Sequence, residues 1–362
     1  MPSLIKTKLV VISDTHGLQF EAGSKPLPSV DVAIHCGDLT ADSKLFEFQE
    51  AIKLLKEIDA PLKIVIAGNH DFSLDHVAFE EKIDEANRLA QEDLGQSIKK
   101  EYGDCGEARQ LLQDAKHEGI LFLEEGSHEL PLHNGAMLRV YASPYTPATG
   151  SSSGWGFQYN GAHDFAIEKG TDIVITHGPP HGVMDMTTSR ERVGCPQLFA
   201  AVARAQPRLH CFGHVHNSWG AKLVTWRSTI SDHPSHFSDI DHQRSQVIES
   251  LLRLKGTCIE SAEDREARQD RVERYRLQRC CRTSHCENDE RRLGEGKTLF
   301  VNAAVMGDDE LSQHPWLVDL ELDSAESGSG ICNESDGTRK KRKGSGIALP
   351  GEEDLEQKKP CR

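Results

Sequence analysis

Nowhere do about 18 apolar residues follow one another without interruption, so the sequence offers no candidate for a membrane-spanning helix. The opening stretch MPSLIKTKLVVISD holds a short apolar run but no small-residue cleavage site, which predicts a strand rather than a secretion signal. Positive charge is also in deficit. The 42 Lys and Arg face 57 Asp and Glu, a formal net charge of −15, and phosphate backbones want the opposite sign, so general nucleic-acid binding is not expected. A disulfide scaffold is missing too. Among ten cysteines, Cys36, Cys105, Cys195 and Cys211 stand far apart in apolar or motif contexts, which fits reduced thiols in a cytoplasmic or nuclear protein.

What is present suffices for a sizeable core: 362 residues make one large domain or two ordinary ones. Short β-type runs recur: KLVVIS, VDVAIHC, LKIVIAG, MLRVYAS, TDIVITH, RLHCFG, TLFVNAA and WLVDLEL. Helical patterns lie between some of them, including SKLFEFQEAIKLLKEI and a polar stretch from Phe79 to His117 that predicts two helices broken near Gly95 or Gly103. Near-continuous apolar strands alternating with helices predict an α/β domain with strands buried on both faces. The composition changes between about Thr225 and Lys297, where AEDREARQDRVERYRLQR predicts an exposed helix with poor apolar periodicity. Strand-like sequence resumes at Leu299. The expected organisation is therefore a main α/β domain of residues 1–228 and 298–323, a charged, partly helical insertion at 229–297, and a disordered tail at 324–362.

The apolar strands finish in chemistry-bearing residues. VVISDTHG ends in Asp14 and His16, AIHCGDLT in Gly37 and Asp38, and IVIAGNHD in Gly68, Asn69, His70 and Asp71. IVITHGPP ends in Thr176 and His177, and RLHCFGHVHN in His214 and His216. Alternate residues of an extended segment point the same way, so each one-apart pair is expected to reach a common point. In open α/β sheets ligands bind outside the carboxyl ends of the strands. Seven candidate ligands (Asp14, His16, Asp38, Asn69, His177, His214 and His216) exceed what one tetrahedral zinc takes. Two divalent metals fit better, with Asp38 on its Gly-Asp turn as the natural bridge. The mixed nitrogen and oxygen donors suit manganese, iron or zinc.

The ordered blocks DTH (14–16), GD (37–38), GNHD (68–71), TH (176–177) and GHVH (213–216) resemble the calcineurin-like metallophosphoesterases over roughly the first 220 residues. SPYTP, SGWGFQY, THGPPHG and RVGCPQL are similar to the branch of metallophosphoesterase-domain-containing proteins. The resemblance implies a four-layer α/β/β/α sandwich of two mixed β-sheets flanked by helices. It implies Asp14, His16 and His216 on one metal, Asn69, His177 and His214 on the other, and Asp38 between them. It implies phosphoester hydrolysis by a metal-bound hydroxide without a Ser or Cys nucleophile, by a phosphodiesterase or a phosphomonoesterase acting on a small ester, with nucleotides or cyclic nucleotides the expected substrates. Some animal members lack the first histidine of Gly-His-x-His and are impaired as catalysts, whereas this chain keeps His214. The alternative function is a catalytically weak nucleotide-binding or scaffolding protein that works through its insertion and tail.

His70, beside Asn69, is expected to face substrate as a general acid or oxyanion stabiliser, with Asp71 orienting its ring. Trp155 and Phe157, followed by Tyr159, offer a platform on which a nucleobase stacks; a packed loop anchor is the competing reading. His181 reads as a loop residue near the cleft and Asn302 as a turn amide. Cys280, Cys281, His285 and Cys286 cluster without a standard zinc spacing. The basic run Arg339 to Lys343 reads as solvated charge, with a nuclear-import signal as the alternative.

Overall fold

The run LIKTKLVVI forms β1 (Leu4–Ile12), with its second half wholly buried. The computed structural model describes residues 3–21, 28–91, 93–148, 154–257 and 259–328. The chain divides into two units, Met1–Ser327 and Gly328–Arg362, and every element below belongs to the first. Most of the tail expected at 324–362, with its basic run, lies outside the described residues.

β2 (Val32–His35) and β3 (Leu62–Val65) run parallel beside β1 and are almost fully buried, as strands covered on both faces must be. Between them α1 (Leu45–Lys56) buries Phe48, Ala51, Leu54 and Leu55 at helical spacing. Its start is fixed by Glu47, whose carboxylate turns back to accept the Lys44 N–H at 2.8 Å. The polar stretch beyond holds three helices rather than two: α2 (His76–Ala90), α3 (Gly95–Tyr102) and α4 (Glu107–Asp114). Both expected break regions are used. Gln91 leaves α2 in a left-handed conformation, and Gly103 and Gly106 at positive φ separate α3 from α4.

There follow β4 (Ile120–Phe122), β5 (Gly126–Pro131), β6 (Met137–Ser143) and the short pair β7 (Thr146–Pro147) and β8 (Gln158–Tyr159). Next come β9 (Ile173–Thr176), α5 (Pro196–Ala205), β10 (Leu209–Phe212) and β11 (Gly220–Thr225). The charged segment contributes β12 (Gln246–Ser250), α6 (Leu251–Lys255), α7 (Ala262–Gln278) and β13 (Cys281–Ser284). β14 (Lys297–Asn302) and β15 (Trp316–Asp323) complete the two large sheets.

One sheet has the strand order β13-β15-β1-β2-β3-β4, the other β12-β11-β14-β10-β9-β6-β5, and both mix parallel with antiparallel pairs. β15 returns antiparallel along β1, pairing Leu4 with Asp323 and Val11 with Trp316. Leu9, Val11, Ile34 and Ile64 of one sheet meet Val140, Ile175, Cys211 and Val301 of the other in the central core. The outer face of the first sheet packs on Phe48, Leu55 and Leu112 of α1 and α4, and that of the second on Leu198, Phe199 and Val202 of α5. The result is the four-layer α/β/β/α sandwich. The charged segment supplies one edge strand to each sheet, β12 beside β11 and β13 beside β15, and α7 buries Tyr275 while its charged face stays in water. No helix among the described residues is long and apolar enough to cross a membrane. The described cysteines, Cys36, Cys105, Cys195, Cys211, Cys280, Cys281 and Cys286, are free thiols.

Candidate metal centre

β1, β2 and β3 are parallel neighbours in one sheet, and β9 and β10 in the other. The loops after their carboxyl ends carry Asp14 and His16, Asp38, Asn69 to Asp71, His177, and His214 to His216. They are stitched together by backbone bonds: Asp14 N to Gly37 O at 3.0 Å, His16 N to Asp38 O at 3.1 Å, and Gly213 N to His177 O at 3.0 Å. All seven candidate ligands come together here.

They do so by a different geometry from the extended pairs that the spacing suggests. Asp14, His16, Asp38 and His214 have φ of 57°, 47°, 54° and 67°, left-handed values that strands do not contain and that cost non-glycine residues energy. Two motif glycines make room for this. A Cβ at Gly213 would lie 2.0 Å from Asp14 Oδ2, and one at Gly68 2.3 Å from Asp38 Oδ1, so the carboxylates occupy the space a side chain would need.

The donor atoms fall into interlocking groups: Asp14, His16 and His216; His16, Asp38 and His70; and Asp38, His177 and His214, each within 4.8 Å. In the first, His216 Nε2 lies 3.2 Å from Asp14 Oδ1 and 3.3 Å from His16 Nε2. In the last, His177 Nε2 lies 3.2 Å from Asp38 Oδ2, 3.2 Å from His214 Nδ1 and 3.0 Å from Asn69 Oδ1. Donors about 2.1 Å from one cation stand about 3.0–3.4 Å from each other at octahedral or tetrahedral angles. These separations match. His214 and His216 therefore serve different groups, although they are one residue apart.

The imidazoles are set for ligation by what their other nitrogens do. His177 Nδ1–H donates to Cys36 O at 2.9 Å and His16 Nδ1–H to Thr40 O at 3.0 Å, so both turn Nε2 to the centre, where a cation would take the place of any proton it holds. Burial disfavours charge on His177, yet Asp38 lifts its pKa to about 9, whereas burial and then His177 lower His214 to about 4. Asp14 and Asp38 are held below the usual carboxylate range because His216 and His177 respectively outweigh the effect of burial. The raised pKa of His177 between buried carboxylates marks a pocket that favours positive charge, and divalent cations, taking the place of that proton, fit this donor set.

His70 stands beside the cluster. Its backbone N–H donates to Asp38 Oδ1 at 2.8 Å, and its ring lies edge-on to His16 with centroids 4.8 Å apart. Its ring is oriented by Ala41, whose carbonyl accepts the Nδ1–H at 2.6 Å, and not by Asp71 as the sequence suggests. Asp71 is fully buried and accepts from Leu39 N, Thr40 N, Thr40 Oγ1 and Gly68 N at 2.7–3.1 Å. It clamps the β2 and β3 loops together, and burial with the nearby charge of Asp38 raises its pKa to about 6.

Trp155, 37 % exposed, lies over the His70 ring at 3.9 Å between centroids. Phe157 does not join it. It is buried, packs edge-on against Tyr145 and anchors its loop through its N–H to Asp75 Oδ2 at 2.8 Å. Tyr159 turns away to Cys195 Sγ, and the His181 ring packs against His236. Asn302, fully buried, donates to Val215 O at 3.0 Å and so supports the backbone between His214 and His216. That role follows from β14 lying beside β10, a pairing the strand pattern does not specify. Both ring nitrogens of His285 are engaged, by Thr283 and Arg291, and among the described residues no metal-ligating group forms with Cys280, Cys281 or Cys286.

Known proteins align over the same part of the chain. An Emericella nidulans protein named probable rhamnogalacturonate lyase C is 32 % identical over 225 residues, 60 % of this chain and 18 % of that protein. Human metallophosphoesterase domain-containing protein 1 is 31 % identical over 228 residues, 59 % of this chain and 62 % of that protein. A Caenorhabditis elegans UPF0046 protein is 30 % identical over 221 residues, 59 % of this chain and 52 % of that protein. The chain thus spans less than two thirds of the length of each of these relatives, and the lyase name belongs to a protein of which only a small part aligns. The profile of the calcineurin-like phosphoesterases matches residues 7–218, more than half of the chain and the segment that carries every ligand loop, and the protein belongs to that family.

Proposed function

We propose that this protein hydrolyses phosphoesters with two divalent cations and that its substrates are nucleotides or cyclic nucleotides. The observation that carries the reading is the position of Asp38, whose Oδ2 lies 3.2 Å from His177 Nε2 and 3.9 Å from His16 Nε2. One carboxylate thereby joins both ligand groups, as a bridge between two cations must. Asp14, His16 and His216 would hold one cation and Asn69, His177 and His214 the other. When bound, such a pair neutralises phosphoryl oxygens and acidifies water near neutral pH. Nitrogen and oxygen donors in one set favour manganese, iron or zinc.

The chain's own groups complete the chemistry. With Nδ1–H donated to Ala41 O, His70 presents Nε2 to the cluster; protonated there, it donates to an oxygen that gains charge as the ester bond breaks. Trp155 beside it gives a flat face for a nucleobase. The test is turnover of bis-p-nitrophenyl phosphate, mononucleotides and cyclic nucleotides with manganese, by wild type and Trp155→Ala. Nucleotide turnover by the wild type, with KM raised roughly tenfold in the variant, supports the reading. Hydrolysis of no phosphate ester removes it.

A further inference from the structure

A cavity of about 870 Å³ opens beside the ligand cluster, and His214 and His216 form part of its lining. Its far wall lies outside the family-matched residues: Leu251 and Leu254 of α6, and Val272 and Tyr275 of α7. Leu251 and Leu254 pack on the central core, while Val272 lines the space at 38 % exposure. The wall is fixed by Glu249 at the end of β12, a carboxylate 1 % exposed. It accepts from Tyr275 OH at 3.2 Å and pairs with Arg271 at 3.4 Å and Arg253 at 3.6 Å. One buried group thus ties β12, α6 and α7 together. The volume is within the roughly 300–1,000 Å³ of sites for organic ligands, and the apolar wall faces polar groups that include His214, His216, Asn217, Lys255 and Asp308.

Successive ring contacts connect Trp155 to the cavity. Trp155 meets His70 at 3.9 Å, His70 meets His16 at 4.8 Å, and His16 meets His216 at 5.3 Å; His216 then borders the cavity. A phosphate held by the ligand cluster would have Trp155 and the cavity as two separate surfaces for organic groups. We propose that α6 and α7 form a second organic subsite, so that beyond nucleotides the protein accepts phosphodiesters whose second group is bulky and carries an apolar face. This rests on the phosphoester reading above. The diester oxygen on this side stays bonded to phosphorus, while the ester bond on the Trp155 side breaks by addition of water, the proton going to the departing oxygen.

The test uses the metal-loaded full chain and three p-nitrophenyl diesters whose second group is ethyl, octyl or naphthyl. The expected result is a KM roughly tenfold lower for the octyl or the naphthyl ester than for the ethyl ester, the better of the two distinguishing a lipid-like from an aromatic group. Val272→Trp, which fills the space, and Val272→Asp, which makes its wall polar, are expected to abolish that preference while the ethyl ester stays within about twofold. Calorimetric binding of naphthylphosphonate, octylphosphonate and methylphosphonate, which are not hydrolysed, is expected to show the same order and the same loss. Equal KM for all three diesters, or a preference that survives both Val272 variants, overturns the subsite alone. Hydrolysis of none of them overturns the subsite; if mononucleotides and cyclic nucleotides assayed in parallel are not turned over either, the phosphoester reading falls with it.

Discussion

His214 and His216 are one residue apart and face opposite halves of the site: His214 Nδ1 lies 3.2 Å from His177 Nε2, and His216 Nε2 lies 3.2 Å from Asp14 Oδ1. The left-handed turn at His214, φ 67°, separates them. Asn302 holds the carbonyl of Val215 between the two. A short Gly-His-x-His segment thereby supplies one nitrogen to each ligand group.

Replacing His214 by glycine removes the second group's nitrogen without disturbing the turn, because glycine adopts positive φ freely. The His214 backbone N–H that donates to Asp14 at 3.0 Å survives the change. Turnover of bis-p-nitrophenyl phosphate is expected to fall ~10²-fold or more, the loss typical of an electrostatic stabiliser of the transition state, with the melting temperature of the metal-free protein little changed. Equal rates in the two proteins would show that His214 is not part of the machinery.

Asp71→Asn tests the clamp between the β2 and β3 loops. All four partners of the carboxylate donate, from Leu39, Thr40 and Gly68, and an amide NH₂ would face at least one of those donors. A loss of about 1–3 kcal/mol in urea unfolding is expected, with metal affinity weaker by roughly 10–100-fold, as for other groups that support ligands without touching the metal. A stability within about 0.5 kcal/mol of wild type would contradict the clamp.

The candidate ligands were legible because each follows an apolar strand, and the ends of parallel strands in a sandwich face one way. Their conformation was not. Period-two spacing assumes extended backbone, whereas Asp14, His16 and His214 have left-handed φ, a choice enforced by carboxylates packed against Gly213 and Gly68. Asp71 was readable as important but not as a clamp, since three of its four donors are backbone N–H groups that no side-chain pattern encodes. Phe157 looked like a partner of Trp155 by spacing, yet its own positive φ, 51°, turns it into the core. The edge strands β12 and β13 were hidden in charged sequence, because an edge strand half exposed to water does not need an apolar run. α7 was readable from its charge pattern; the apolar wall that Val272 contributes to a cavity was not.

His210 carries a pH dependence away from catalysis. It is fully buried, its Nδ1 has no hydrogen-bond partner among the described residues, and burial lowers its pKa from 6.5 to about 3. The unfolded chain therefore takes up this proton first. The stability from keeping the ring neutral is complete above pH 6.5 and is lost as pH falls toward 3. Each pH unit in that window costs about 1.4 kcal/mol per proton. Between pH 6.5 and 5, wild type is expected to lose about 2 kcal/mol more than His210→Gln. The variant keeps an N–H for Thr176 Oγ1, which lies 2.9 Å from the histidine Nε2. Urea titrations at the two pH values measure it, and parallel losses would contradict the assignment.

The most direct test of the account is the number of ions the protein holds. After mild reconstitution with manganese or zinc and removal of excess, elemental analysis is expected to find about two ions per wild-type chain and about one in His214→Gly. A wild-type stoichiometry that stays at or below one, with Asp14, His16, Asp38, Asn69, His177, His214 and His216 all intact, would contradict the dinuclear centre.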